Sequence, residues 1–242
     1  DKNFPSPEPI INKNGNYISE ISGKKAAVIS FIDGEAKKVL NPNDCFNVGG
    51  NTLTLAGAGA LSGGAIQLNN GSSIVKKTGT GSIANALTLS SAGAKLDIDA
   101  NTTVSGAITM TANATMDIAN NITLTYSGAA LAIGANTLTL TGGTGASDEG
   151  TLANASALTI STGKLDVDNN IEIDGDITIS DDATFDIASG KTLDYDGAQV
   201  DIGDNTLSII GGGTIDNANN ITLSHANSLL NIKTNASATI AK

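Results

Sequence analysis

The chain has 242 residues, of which 3% are aromatic and 15% are charged, and its formal net charge is -11. This charge predicts repulsion from nucleic acid and from anionic lipid, so we expect neither as a partner. No apolar run approaches the ~20 residues of a membrane-spanning helix, and we expect no membrane insertion. The single cysteine, Cys45, excludes an intramolecular disulfide and a cysteine-based metal site.

The first 45 residues differ in composition from the rest of the chain and contain all four prolines. Two short apolar runs flank Asp33-Gly34, which is typical of a β-hairpin. We therefore predict two domains: residues 1–45 form a capping or docking segment with a hairpin, and residues 46–242 form a repeat domain. A first residue other than Met is compatible with a removed signal peptide and equally with a truncated chain.

From Phe46 onward, short apolar-x-apolar strands alternate with corners rich in Gly, Asn and Ala. Residues 51–55 and 136–140 both read NTLTL, and residues 205–209 read NTLSI. The strands sort into three sets, and members of a set recur every ~22 residues. Set A begins at Phe46, Ile66, Leu87, Ile108, Leu131, Leu158, Ile177, Val200 and Ile221. Set B begins at Leu53, Ile74, Leu96, Met116, Leu138, Leu165, Phe185, Leu207 and Leu230. Set C begins at Leu61, Ile83, Val104, Ile122, Leu152, Ile171, Leu193, Ile215 and Ile240.

Three strands in each repeat describe one triangular turn of an all-β, single-stranded parallel β-helix, or β-solenoid. Apolar side chains alternate inward with outward polar ones, and equivalent positions of successive turns stack in columns. This stacking explains why NTLTL recurs. We predict about nine turns, and a right-handed helix because the turns are longer than the roughly 18 residues of a hexapeptide left-handed helix. Asn-Asn pairs at the corners are predicted to form side-chain ladders, and residues 142–150 a loop.

Acidic residues occupy outward positions of sets B and C on successive turns. They are Asp97 then Asp117, Asp166 then Asp186, and the series Glu172, Asp194 and Asp216. Like charges on neighbouring strands are destabilising by ~0.2–1 kcal/mol, and Ca²⁺ would remove this repulsion with oxygen ligands. Two interpretations stay open: a hydrated acidic face that favours solubility, or a Ca²⁺ site that lacks the G-G-x-G-x-D calcium motif. We expect no other metal or cofactor.

Catalytic residues are not predicted. Parallel β-helices often host polysaccharide lyases and hydrolases, but this chain has no arginine and a single histidine, His225. His225 follows Ser224 at a corner, and because neighbouring side chains point apart we interpret it as an ordinary exposed residue. Outward Thr pairs in set A resemble the arrays of ice-binding proteins, but Gln67, Ala132 and Asp201 interrupt them.

The two ends of a β-helix expose backbone groups that can pair with another strand. We expect the hairpin over residues 26–40 to cover Phe46, and LLNIKTNASATIAK to leave the last turn uncapped. Docking of the N-terminal segment of one copy on the last turn of another would build a homopolymer. The residues predicted to carry this contact are Ile29, Phe31, Val39, Leu40, Leu229, Leu230, Ile232 and Ile240.

The turns ALTLSSAGAKLDIDANTTVSG and DITISDDATFDIASGKTLDYDG resemble the repeats of bacterial extracellular β-helix proteins, such as secreted adhesins and autotransporter passenger regions. The resemblance covers residues 46–242 and includes no family-specific motif. It implies an extracellular or cell-surface location after removal of a signal peptide, and a structural or adhesive role. The favoured hypothesis is a non-enzymatic subunit that associates end to end into a filament, stalk or surface layer. The alternatives are an adhesin or glycan-binding spike that meets a host or cell surface, then a polysaccharide-acting enzyme or an ice-binding protein.

Overall fold

The structure, a computed structural model, describes residues 46–142, 148–197, 200–216 and 221–233, and the backbone of 9–10, 19–21, 24–26, 28–29 and 237–238. The chain forms two compact units, Asp1–Val39 and Leu40–Lys242. In the first unit β1 (Pro9–Ile10) pairs antiparallel with β4 (Val28–Ile29), and β2 (Ser19–Ile21) pairs antiparallel with β3 (Lys24–Ala26). Of the hairpin predicted over residues 26–40, only the backbone of residues 26 and 28–29 is described, and its turn at Asp33-Gly34 lies outside the described residues. Within those residues, no helix is long and apolar enough to cross a membrane.

The second unit is a parallel β-solenoid of about 22 residues per turn and about 8 turns. Its strands lie on three faces, which we call A, B and C after the predicted sets. Face A contains β5 (Phe46–Asn47), β7 (Ile66–Leu68), β9 (Leu87–Leu89), β12 (Ile108–Met110), β15 (Leu131–Gly134), β18 (Leu158–Ile160), β21 (Ile177–Ile179), β24 (Val200–Asp201) and β27 (Ile221–Thr222). Face B contains β6 (Thr52–Leu55), β8 (Ile74–Lys77), β10 (Ala94–Ile98), β13 (Ala114–Ile118), β16 (Thr137–Thr141), β19 (Lys164–Val167), β22 (Ala183–Ile187), β25 (Thr206–Gly211) and β28 (Leu229–Ile232). Face C contains β11 (Thr102–Val104), β14 (Thr123–Tyr126), β17 (Gly150–Asn154), β20 (Ile171–Ile173), β23 (Thr192–Tyr195), β26 (Thr214–Asp216) and β29 (Ser237–Ala238), preceded by isolated bridges at Leu61 and Ile83.

The predicted fold class is confirmed, and every strand of face A begins at the residue that the sequence indicates. The nine strands of face B form one continuous parallel sheet, so eight steps separate its first and last strands. The prediction of about nine turns therefore counted strands rather than complete turns. The right-handed sense of the helix stays a prediction.

Inward side chains form apolar columns along the solenoid, and each buried Leu, Ile or Met contributes about 1.5–3 kcal/mol. On face B, Leu96 lies beside Met116 and Met116 lies beside Leu140 on the next turn. All three residues are at most 1% exposed. The core of the solenoid is therefore a stack of layers in which each turn covers the one before it.

Five predicted register positions are wrong. On face B, Leu138 lies opposite Ala114 rather than Met116, and Leu207 lies opposite Ala183 rather than Phe185. On face C, Ile171 lies opposite Gly150 rather than Leu152, and the inward residues of β14 are Leu124 and Tyr126 rather than Ile122. These four errors are shifts by an even number of residues, which preserve the alternation of inward and outward side chains. At β8 the shift is one residue, so Val75 is inward and Ile74 is not.

The predicted set C strand at Ile240 is also displaced. The structure places β29, Ser237–Ala238, in this position, and Ala238 lies opposite Ile215. Ile240 itself lies outside the described residues.

A buried tyrosine replaces part of the hydrogen-bond ladder at the corner between faces C and A. The backbone N–H of Leu87 donates to the carbonyl of Ala107 one turn later, at 2.9 Å. The equivalent N–H of Ile108 donates instead to Oη of Tyr126, at 3.1 Å. Tyr195 repeats the arrangement by accepting from Ile177. Both hydroxyls satisfy buried donors; face A separates into two sheets after β12, which contains Ile108, whereas β21, which contains Ile177, lies within the second sheet.

Replacing Tyr126 by Phe is expected to lower the free energy of unfolding by ~1–3 kcal/mol, because the buried N–H of Ile108 loses its acceptor. Denaturant-induced unfolding followed by circular dichroism measures the change. Thr125→Val is the matched control, since it removes a hydroxyl from the exposed neighbouring residue and should change stability by less than about 0.5 kcal/mol. Equal losses in both variants would contradict a specific role of the phenol.

Side chains at the corner between faces A and B bind the backbone of the next turn. Oδ1 of Asn113 accepts from the N–H of Thr137 at 2.8 Å, and Oδ1 of Asp182 accepts from the N–H of Thr206 at 2.7 Å. At the next corner, Oδ1 of Asn170 accepts from the N–H of Thr192. Of these residues only Asn170 belongs to a predicted Asn-Asn ladder, and its side chain contacts the backbone of the next turn.

Candidate assembly surface

The last turn of the solenoid exposes apolar side chains. Its strand β28 pairs with β25 and with no other strand among the described residues. Leu223, Leu229 and Ile232 are 52%, 51% and 44% exposed. Ile232 lies in the inward column, directly beside the fully buried Ile209. An apolar core column therefore continues to an open surface at this end.

The first turn of the solenoid also exposes an apolar side chain. Its strand β6 pairs with β8 alone among the described strands. Phe46 is 44% exposed, and Leu53 and Leu55 are partly buried and pack on the core. Within the described strands, both end strands keep one unpaired edge of backbone N–H and C=O groups, which can extend a parallel sheet.

The structure brings together part of the predicted self-association set. Leu229, Leu230 and Ile232 all lie in β28. Ile29 lies in β4 of the first unit. The other predicted residues lie outside the described part of the chain; they are Phe31, Val39, Leu40 and Ile240. Their role in assembly stays a prediction.

The structure also makes visible a longer repeat that spans three turns, which the 22-residue analysis missed. Corresponding side chains occupy the same structural positions 69 residues apart in the sequence. Among them are the corner tyrosines, the corner acceptors and the lysines of face B; the pairs are Tyr126 and Tyr195, Asn85 and Asn154, Asn101 and Asn170, Asn113 and Asp182, Lys95 and Lys164, and Asn136 and Asn205. A comparison of the chain with itself at this spacing would have found them.

Lysines bridge the paired carboxylates of face B. Asp97 and Asp117 lie opposite each other on neighbouring strands, and Lys95 Nζ lies 3.8 Å and 2.6 Å from their carboxylates. Lys164 lies 3.1 Å and 3.0 Å from the other such pair, Asp166 and Asp186. The two carboxylates raise the pKa of Lys164 on balance, although its burial acts in the opposite direction. The repulsion that suggested Ca²⁺ is therefore relieved by side-chain amines.

Face C carries the other acidic column. Glu172 lies opposite Asp194, and Asp194 lies opposite Asp216. Thr151 Oγ1 donates to Glu172 at 2.6 Å. Burial, and the nearby charges of Asp194 and Glu172, raise the pKa of Glu149. In the part of the chain that the structure describes, no three His, Cys, Asp or Glu side chains are grouped closely enough to hold a metal ion.

Lys77 lies inside the solenoid and is only 1% exposed. Its Nζ donates to the carbonyls of Gly57 at 3.1 Å, Leu55 at 3.4 Å and Gly79. It lines a cavity of ≈ 220 Å³ together with Gly59, Ala60, Leu61 and Ser82. Burial lowers the pKa of Lys77 from its ordinary value of 10.5. The carbonyls of Leu55 and Gly57 also accept backbone N–H groups, so they do not depend on the amine.

Replacing Lys77 by Met is expected to stabilise the protein at pH 7 by about 1 kcal/mol or more, because it removes a buried charge and keeps an apolar stem. A base whose folded pKa is lowered destabilises the fold at neutral pH. This penalty disappears as the pH rises through that pKa towards 10.5. The wild-type chain should therefore gain stability over this alkaline range, and the variant should not. Thermal unfolding at a series of pH values measures both effects.

Lys76→Met is the matched control for that experiment. Lys76 points outward, and its contacts with Asp99 at 2.5 Å and Asp97 at 2.9 Å raise its pKa to about 12. The ion pair contributes below pH 10.5 and is lost as the pH rises through about 12, so the control should lose ~0.2–1 kcal/mol at pH 7. Stabilisation in both variants, or in neither, would contradict the difference between the two lysines.

Ser224 and His225 do lie within hydrogen-bond distance, which corrects the expectation that their side chains point apart. Ser224 Oγ lies 2.9 Å from His225 Nδ1 and 2.9 Å from Asp201 Oδ1. The residues occupy a corner rather than a strand, so strand alternation does not apply. The Asp201 carboxylate contacts the Ser224 hydroxyl, whereas in a catalytic triad the carboxylate contacts the imidazole. The backbone N–H of Gly203, then Ser224, lower the pKa of Asp201.

The threonine columns of face A are short. Thr88 lies opposite Thr109, and Thr159 lies opposite Thr178. Ala132 and Asp201 occupy the next positions beside Thr159 and Thr178. The array thus forms two separate pairs rather than a continuous threonine surface.

The chain was compared with known proteins. No family model matches it. No solved structure matches it. A segment is 40% identical over 48 residues to homoserine kinase from Bartonella henselae, which corresponds to 20% of this chain and 15% of that protein. Because the chain spans so little of this relative, the similarity does not show a family.

Proposed function

We propose that the protein is a non-enzymatic, extracellular structural subunit whose solenoids associate end to end into a filament, stalk or surface layer. The observation that carries this proposal is the apolar last turn, where Leu223, Leu229 and Ile232 are each more than two-fifths exposed. Soluble proteins rarely leave contiguous apolar surface and a free strand edge together without a partner. The resemblance of the repeats to those of secreted bacterial β-helix proteins supports the extracellular location.

A head-to-tail contact between two different surfaces does not close on itself, so repetition produces an open filament. The geometry of the solenoid also favours a head-to-tail contact, because both ends present strands of the same direction and spacing. Face B of a second copy can therefore continue the parallel sheet of the first.

Negative-stain electron microscopy and sedimentation velocity of the 242-residue protein test the proposal. We expect fibres that lengthen as the protein concentration rises. A monomer at all concentrations up to the millimolar range would contradict end-to-end association. Removal of residues 1–45 is the companion measurement: loss of fibres would support docking through the predicted N-terminal residues, and unchanged fibres would exclude it.

A further inference from the structure

The first turn repeats a corner that the solenoid uses twice in its interior. Residues 48–55 read VGGNTLTL, residues 133–140 read IGANTLTL and residues 202–209 read IGDNTLSI. In all three the glycine after the apolar residue has a positive φ, of 55°, 58° and 60° at Gly49, Gly134 and Gly203. The asparagine before the strand donates in each case to the carbonyl of that apolar residue. The three corners are therefore the same local structure.

The two interior copies of this corner both follow the same kind of strand. The strand β16 stacks on ATMDI of residues 114–118, and β25 stacks on ATFDI of residues 183–187. In both junctions the register places the alanine opposite the first leucine of the corner strand, as Ala114↔Leu138 and Ala183↔Leu207. The residue before each alanine caps the threonine N–H of the next turn, as described above for Asn113 and Asp182.

The last turn carries a strand of the same kind, SLLNI of residues 228–232, and Asn227 precedes it. We propose that the last turn of one copy receives the first turn of a second copy in the register of these interior junctions. Ser228 then lies opposite Leu53, Leu229 opposite Thr54 and Leu230 opposite Leu55. This inference rests on the proposed end-to-end assembly, and it specifies the partner surface as the first turn of the solenoid.

Three further features fit this register. Asn227 precedes Ser228 as Asn113 precedes Ala114, so its Oδ1 accepts from the N–H of Thr52. Ile232 lies over Gly57, as the buried Ile187 lies over Gly211. On face A, Phe46 precedes Leu53 by seven residues, and Ile221 precedes Ser228 by the same seven, so both faces align together. The exposed Phe46 then covers Ile221, and the exposed inward residue Ile232 becomes buried.

Engineered disulfides test the register in the full chain, with Cys45 replaced by Ser. Opposite residues of parallel strands have Cα atoms ~4.8 Å apart, within the range of a disulfide, whereas a shift of two residues separates them by more than about 7 Å. Thr54→Cys with Leu229→Cys is the in-register pair. Thr52→Cys with Leu229→Cys is the matched control, because both threonines are exposed on the same strand.

Under mild oxidation the in-register pair should migrate on non-reducing gels as a ladder of covalent multimers, and the control should remain monomeric. A ladder in the control alone, or equal ladders in both, would overturn the register. If electron microscopy shows fibres but neither cysteine pair gives a ladder, the strand-stacked junction is overturned. End-to-end assembly then remains supported. Absence of both fibres and ladders would overturn the assembly itself.

Discussion

Deletion of residues 95–163 is expected to give a folded solenoid that is three turns shorter. The deletion joins Ala94 to Lys164, and Lys164–Val167 then occupies the place of residues 95–98 on β8. Asp166 and Asp168 take the positions of Asp97 and Asp99 beside Lys76, so the outward ion pairs re-form. Because each turn contacts its neighbours and little else, removal of a complete three-turn unit leaves every remaining contact type in place.

Far-UV circular dichroism and thermal unfolding measure the result. We expect a β-sheet spectrum and a cooperative transition at a somewhat lower temperature than that of the full chain. Deletion of residues 90–163 is the control: it keeps the same strands but joins Leu89 directly to Lys164 and removes the corner between faces A and B. The chain cannot then turn, and we expect loss of cooperative unfolding. If both variants are unfolded, the three-turn unit cannot be removed without loss of the fold, and the prediction is wrong.

Replacement of Ile232 by Asp is expected to abolish assembly while it leaves the isolated protein folded. Ile232 is 44% exposed in the free chain, so the carboxylate remains hydrated there. In the proposed junction the residue becomes buried over Gly57, and burial of an unpaired carboxylate costs several kcal/mol. Since about 1.4 kcal/mol corresponds to a tenfold change in affinity, association should weaken by more than about a hundredfold.

Asn231→Asp is the matched control for that variant. It introduces the same charge one residue away on the outward side, where Asp117 and Asp186 lie in the corresponding strands. Sedimentation velocity and electron microscopy should show fibres for Asn231→Asp and monomers for Ile232→Asp. Equal loss in both would indicate a general effect of charge at this end, and equal assembly in both would exclude Ile232 from the contact.

The alternation of apolar residues was sufficient to predict the fold and the first residue of each face A strand. Leu87–Leu89 and Ile177–Ile179 are flanked by Gly, Asn and Ala corners, so their strand boundaries are visible in the sequence. Register was less accessible. A shift of two residues, as at Leu138, leaves the inward pattern unchanged, and only the complete set of contacts between turns distinguishes the alternatives.

Charged residues were the main source of error. Lys77 was not recognised as inward because a lysine normally points to solvent, yet backbone carbonyls of the corner surround its amine. The ion pairs of Lys164 with Asp166 and Asp186 depend on which residues lie opposite each other, and this follows from the register rather than from spacing alone. The predicted apolar residues of β28 do not share one side of the strand, because Leu230 and Ile232 continue the inward column whereas Leu229 lies opposite the outward Thr206.

The duplicated three-turn unit has a consequence for folding kinetics. Residues 95–142 and 164–211 carry the same corner acceptors and the same inward pattern, so either segment fits against many of the surfaces that the other occupies. During refolding a segment can therefore dock three turns away from its native place, and escape requires that whole block to detach. Such a misplaced state would be compact, rich in β-structure and slow to correct.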